Sequence, residues 1–406
     1  MFKYKILFCF FVFLHIWQVS FSDESLTRFD ELILNNNFSL LEYTIVTEDG
    51  YLLKLHRVVT LDYNENTYNI HRKPVILQHG IFGSSNNFFL NDVSLSNFSR
   101  NDCENFGFCL LKTGRYDVWA GNSRGNGYSS GHIKKFKKHS YWKFSFDQMA
   151  KYDLPATVDF IQKITSHAKI GYVGHSQGTL SMFALLVSDF GERFHNIIEP
   201  FIAWGPPVYL QNMTSKIHII MPFESIFEKP LDVSTLGIGN YLLEKFCKSF
   251  PGGRKFICSE FIEQIYGKTS SLKFNQIPEW LKYVPNSSST WAVLHLGQLY
   301  KAGKFQNFDF GKYENLKHYN QTTPTRYELE KFPKQVNVLI FNGLTDGFIP
   351  MENAKHLWNQ IDPKKEHSEF IKLEMKGRWN HIDYLFSPYA GKLLYYPSLQ
   401  FLDAHS

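Results

Sequence analysis

From Tyr43 to Arg57 (YTIVTEDGYLLKLHR) apolar and polar side chains alternate on either side of Asp49-Gly50, the pattern of two half-buried strands joined by a tight turn. Farther along, alternation gives way to short, largely apolar runs: Pro74 to Gln78 (PVILQ), Tyr116 to Ala120 (YDVWA), Lys169 to Val173 (KIGYV), Phe201 to Trp204 (FIAW) and Val336 to Phe341 (VNVLIF). Runs of this kind predict strands covered on both faces, as in a mainly parallel sheet. Between them, Asp153 to His167 repeats apolar positions at helical spacing, with Pro155 in the first turn. The alternation of strand and helix predicts an α/β fold, a mainly parallel central sheet flanked by helices.

One interval breaks this rhythm. Gly205 to Gln335 spans about 130 residues between two core strands, where a crossover needs only ~12. The stretch predicts a largely helical insertion that caps a site. With no repeat, low-complexity tract or Gly/Ser linker to separate it, the expected organisation is a leader (1–22), a first core segment (23–204), a cap (205–335) and a C-terminal core segment (336–406).

The leader rests on Lys3 and Lys5 ahead of an apolar run from Ile6 to Val19, then Ser20 and Ser22 before Asp23 and Glu24, as in a secretory signal cleaved near Ser22. A signal anchor is the competing reading, but the run is interrupted by His15 and falls short of the ~20 residues a spanning helix needs. Nothing later in the chain reads as a membrane span. Cleavage would remove Cys9 and leave two close pairs, Cys103 with Cys109 and Cys247 with Cys258. Either pair could bridge in an oxidising compartment or remain as buried thiols. Sequons at Asn37, Asn97, Asn212, Asn286 and Asn320 suit the same compartment.

Composition adds exclusions. Hydrophobic residues make up 44% and charged residues 20%, as in a packed globular protein. The net charge of +5 is spread without basic blocks, so nucleic-acid binding has no support. Aromatic residues reach 17%, with 38 Phe; most belong to a core, and some could line an apolar pocket.

Candidate chemistry centres on Gly174-His175-Ser176-Gln177-Gly178, between the strand ending at Val173 and an apolar helical run from Thr179 to Val187. The bare motif is weak. A strand before it and a helix after it make it a nucleophile elbow, whose sharp turn leaves room only for glycine on either side of Ser176. A serine hydroxyl needs a base and an orienting acid, found in this architecture in the order Ser, acid, His. Asp346, just after Val336 to Phe341, is the acid this order selects, and His381 the base; Asp383 is the rival acid. His175 is expected to point away as a packing neighbour, and His356 and His367 to lie on solvated helix and loop. Two backbone N–H groups should receive a developing oxyanion, those of Gln177 and of Ile81 in the His-Gly turn after PVILQ. Neither a His-Glu-x-x-His nor a phosphate-binding Gly-Lys-Ser/Thr loop is present, so no metal or organic cofactor is expected.

These motifs, with YDVWAGNSRGNGYS (Tyr116 to Ser129), FSFDQMAKYDLPATVDFI (Phe144 to Ile161) and AGKFQNFDFG (Ala302 to Gly311), make the chain resemble the gastric and lysosomal acid lipases of the α/β-hydrolase fold. The likeness runs from about Tyr43 to Pro388. It implies a secreted or lysosomal serine lipase acting on triacylglycerol or cholesteryl esters at a lipid–water interface, active at acidic pH. By resemblance the triad falls on Ser176, Asp346 and His381, the oxyanion amides on Ile81 and Gln177, and a cap disulfide on Cys247 and Cys258. The chain departs from the family at GFIPMENA, after Asp346, and around Pro206 to Phe250. A soluble carboxylesterase and a noncatalytic lipid carrier on the same fold are the alternatives.

Overall fold

The computed structural model describes residues 29–68, 71–90, 103, 105–136, 139–219, 228–233, 259–272 and 277–405. The expected leader, Asn97, and the Cys247 and Cys258 pair lie outside the described residues.

Strand β1 (Phe38–Val46) and strand β2 (Tyr51–Thr60) form the antiparallel hairpin, in register from Phe38 opposite Thr60 to Val46 opposite Leu52. Gly50 turns it at φ +95°, where a side chain would be strained. The Thr47 hydroxyl donates to Asp49 at 2.6 Å and accepts from the Tyr51 amide at 2.8 Å. Strands β3 (Lys73–Gln78), β4 (Tyr116–Gly121), β6 (Ile170–His175), β7 (Ile198–Trp204), β8 (Val338–Gly343) and β9 (Ser368–Leu373) are mutually parallel, and the short β5 (Gly131–His132) pairs with β2. The spatial order is β1-β2-β4-β3-β6-β7-β8-β9.

Successive residues of the inner strands feed opposite faces, which is why their sequences read as continuous apolar runs. Val75, Leu77, Val173, Leu339 and Phe341 enter one core. Ile76, Tyr172, Val338 and Ile340 enter the other. Helix α1 (Phe106–Lys112) covers the first core; α2 (Leu154–Thr165) and α3 (Gln177–Leu186) cover the second. Cys103 is bonded to Cys109 of α1.

Between β7 and β8 lie α4 (Ser259–Tyr266), α5 (Thr290–Ala302) and α6 (Lys312–Tyr319). Helix α7 (Met351–Ile361) joins the second core and α8 (Tyr396–His405) the first. No described helix is long and apolar enough to cross a membrane.

Several elements differ from expectation: β7 begins at Ile198, three residues before Phe201, and β6 runs on past Val173 to His175, with α3 starting at Gln177. Strand β8 begins at Val338, because the Val336 amide closes a turn on Pro333 O at 3.2 Å. Helix α2 continues a helical path that starts at Phe146, and a π-turn at Met149–Asp153 widens the spiral just before Pro155, easing the clash a proline ring makes with the preceding turn. Strand β9 escaped pattern reading because an edge strand has one neighbour and a mixed polar sequence, SEFIKL.

The site follows from the order of the sheet. The chain leaves β3 for β4 on one side and returns to β6 on the other, so connections diverge where β3 and β6 end, and a crevice opens at their carboxyl edge.

Candidate active site

Strand β6 ends at His175 and α3 begins at Gln177, leaving Ser176 alone to turn the chain, at φ +51° and ψ −121°. This is the left-handed side of backbone space, costly for any residue but glycine. The neighbours show why the position is enforced. A Cβ on Gly178 would lie 2.5 Å from the Gln78 carbonyl oxygen, and one on Gly174 would lie 3.0 Å from the Gly178 backbone. The Ser176 amide donates to Trp204 O at 3.0 Å, tying the turn to β7.

Asp346 and His381 arrive on the loops after β8 and β9. The imidazole stands between them: His381 Nε2 is 2.8 Å from Ser176 Oγ, and its Nδ1 is 2.8 Å from Asp346 Oδ2. A carboxylate only accepts, so Nδ1 carries the hydrogen and Nε2 is left to accept from the hydroxyl. All three side chains are buried. Asp346 Oδ1 accepts from the amides of Phe348 at 2.9 Å and Ile349 at 3.2 Å, while the Tyr384 hydroxyl donates to Oδ2 at 3.3 Å. The acid is thereby oriented on both oxygens.

The rival carboxylate faces elsewhere. Asp383 accepts from the Asn380 amide at 2.6 Å and from the hydroxyls of Thr269 and Ser271, both at 2.9 Å. Burial pushes its carboxyl up to about 7, with those three donors opposing the shift.

The turn after β3 lies against the elbow, since a Cβ on Gly80 would come within 2.8 Å of Ser176 Cβ. His79 fixes its shape. Its Nδ1 donates to Gly80 O at 2.7 Å, and its Nε2 accepts from the Ser123 amide at 3.0 Å; only the neutral ring can do both. Burial holds His79 down at about 4, the bond to Gly80 O opposing. Phe82 sits at φ +61°, its carbonyl accepting from the Asn286 amide at 2.6 Å, and Asn286 Oδ1 accepts from the Gly127 amide at 2.7 Å. Ile81 and Phe82 pack on Val233, Val293, Leu294 and Phe308 from the β7–β8 connection. Gln177 is the first residue of α3, where a backbone N–H has no acceptor within its own helix.

Pattern reading missed several contributors. His175 does not stand apart: its Nε2 donates to the His381 carbonyl at 3.0 Å, and burial, with the neighbouring His381, holds its pKa well below the ordinary histidine value. His367 is half-buried beside Asp362, with Nδ1 at 3.4 Å from Oδ1, rather than solvated; His356 is exposed on α7. Tyr384, whose hydroxyl also accepts from the Gly343 amide at 2.7 Å, and Tyr266, whose carbonyl accepts from the Gly347 and His381 amides, carry no motif, because their partners lie far along the chain. Among the sequons, Asn37, Asn212 and Asn320 are exposed and Asn286 is buried. Among the described residues no cluster of His, Cys, Asp and Glu is arranged to hold a metal.

Residues 29–92 match the family described as a partial α/β-hydrolase lipase region, and residues 73–198 match the α/β hydrolase fold. The chain is 32% identical to a gastric triacylglycerol lipase of Rattus norvegicus, covering 92% of this chain and 90% of that one. It is 33% identical to lipase member J of Homo sapiens, covering 85% and 90%. Triacylglycerol lipase 1 of Arabidopsis thaliana is 30% identical, with 92% and 90% covered. Among solved structures, a lipase candidate from Sulfolobus solfataricus superposes with a TM-score of 0.52 at 13% identity, over 91% of this chain and 95% of that one. That likeness speaks to the fold alone.

Proposed function

Since the chain belongs to the gastric and acid lipase family of α/β-hydrolases, we propose that it hydrolyses carboxylic esters of lipids, triacylglycerol or cholesteryl ester, through an acyl-enzyme on Ser176. Ser176 Oγ attacks the ester carbonyl while His381 Nε2 takes its proton. Asp346 holds the imidazolium that forms, and the amides of Ile81 and Gln177 receive the oxyanion. His381 then protonates the departing alcohol, and a water activated by the same nitrogen releases the fatty acid.

The observation that carries this reading is the relay Ser176–His381–Asp346, with 2.8 Å at each step, on a backbone bent to φ +51°. The apolar cluster beside Ile81 and Phe82 supports an acyl chain as the group to be accommodated. The stretch 205–335 is read as the cap, 23–204 and 336–406 as the core. The basic and apolar N-terminus, the Cys103–Cys109 bridge and the gastric relatives support a secreted or lysosomal enzyme with a cleaved leader. Exposed Asn37, Asn212 and Asn320 suit glycosylation better than buried Asn286.

The test is labelling by a fluorophosphonate probe alongside fatty acid release from emulsified triacylglycerol. Wild-type protein should be labelled and active. Ser176→Ala should take no probe and lose on the order of 10⁴- to 10⁶-fold in kcat. Unlabelled, inactive wild type would point to a lipid carrier, and equal rates on emulsion and on dissolved short esters to a soluble carboxylesterase.

A further inference from the structure

His381 stands in a turn whose two ends are tied down by Asn380 and Asp383. Asn380 Oδ1 accepts from the amides of Ile382 and Asp383 at 3.0 Å each, and the Asp383 carboxyl accepts from the Asn380 amide at 2.6 Å. A fully buried carboxylate is costly unless donors surround it. Two of its three donors, Thr269 and Ser271, belong to the long connection between β7 and β8.

The same short segment, Tyr266 to Ser271, holds the acid loop as well. Tyr266 O accepts from the Gly347 amide at 2.9 Å and from the His381 amide at 3.0 Å. Gly267 O accepts from Asn380 Nδ2 at 3.0 Å, and Lys268 O from the Thr345 hydroxyl at 2.6 Å. Gly267 has φ +98°, and a Cβ there would fall 2.0 Å from Thr345 O. The segment therefore lies on the acid loop at a separation only glycine permits. The two loops also meet directly, Thr345 N to Trp379 O at 3.1 Å and Trp379 N to Thr345 Oγ1 at 2.8 Å.

We infer that Tyr266–Ser271 is a latch that aims His381 at Ser176, and that Asp383 is the positioning residue through which it acts. The inserted stretch is then a working part of the catalytic geometry as well as a cover. The amide of the base itself, His381, takes its acceptor from the latch, at Tyr266 O. The inference rests on the hydrolase reading above, since a latch matters only if the relay works.

The test uses Asp383→Asn, which sets an amide NH2 against a ring of donors. kcat and KM on a dissolved short-chain ester, the rate and end-point of fluorophosphonate labelling, and Tm are measured together. A base displaced by a fraction of an ångström should lower kcat and the labelling rate by about 10- to 100-fold. KM should stay within about two-fold, since no substrate contact is lost, and the labelling end-point should be complete.

If Asp383→Asn does not accumulate in folded form, Thr269→Val combined with Ser271→Ala removes the two hydroxyl donors and carries the same expectation. Thr269→Ser combined with native Ser271 keeps both hydroxyls and should retain wild-type kcat. A lower Tm with unchanged kcat per labelled site would overturn the latch, as would Thr269→Ser losing as much activity as the double variant. Wild type that neither hydrolyses ester nor takes the probe would instead sink the hydrolase reading, and the latch with it.

Discussion

At the scale of single residues, the site depends on groups kept in one protonation state. His79 donates from Nδ1 and accepts at Nε2, and burial holds it down at about 4, against about 6.5 in an unfolded chain. Above pH 6.5 it is neutral in both states and contributes no pH dependence. Between 6.5 and 4 only the unfolded chain takes the proton, so stability falls as pH falls, by about 3 kcal/mol from this group alone at the acid end. His79→Gln should lower stability at pH 7 yet show a shallower decline toward pH 4, measured by urea unfolding of both proteins across that window. Equal slopes would mean that His79 is protonated in the fold. An enzyme active in acid would have to carry this cost.

At the scale of elements, the decisive contact is between the amino end of α3 and the carboxyl end of β3. Gly178 allows it, with a Cβ position 2.5 Å from Gln78 O and 2.9 Å from His79 O. Both are backbone atoms of a central strand end, so the strain cannot relax by a rotamer change. Gly178→Ala should cost about 1–3 kcal/mol and push the turn bearing Ile81 away from Ser176. The check is the fluorophosphonate labelling rate beside the denaturation midpoint. A variant as stable as wild type and labelled as fast would show that α3 and β3 move apart freely. The π-turn before Pro155 and the edge strand β9 belong to this scale too: each is a local answer to a tertiary demand, and neither follows a simple period.

For the whole molecule, a buried ionic node fastens the hairpin to the helical face. Arg124 reaches Asp49 at 2.6 Å and 2.9 Å and Asp153 at 2.7 Å, with its guanidinium stacked over Tyr51 at 4.0 Å. Burial works against its charge, and the two carboxylates more than restore it, raising its pKa. Arg124→Met should cost about 3–5 kcal/mol, because it leaves Asp153 buried without its cation. Thermal unfolding of the variant at pH 7 checks this, and pairing it with Asp153→Asn should recover part of the loss. An undiminished Tm would mean that Asp153, deprived of its cation, takes up a proton or finds other donors at no cost.

Much of this arrangement is legible in the order of residues because its causes are local. Period-two and continuous apolar runs mark strands according to whether one or two faces are covered, and the elbow announces itself through glycines on either side of Ser176 that its backbone requires. The order Ser176, Asp346, His381 follows from where each loop leaves the sheet. What the chain alone left open was decided by approach between distant segments. Asp383 and Asp346 are equivalent by composition, and only the position of Thr269 and Ser271 turns one aside while the amides after Asp346 orient the other. His175, Tyr384 and Tyr266 act through backbone atoms of residues far along the chain. Such contacts leave no pattern, since a carbonyl or an amide is the same at every position and only the fold says which one a side chain will meet.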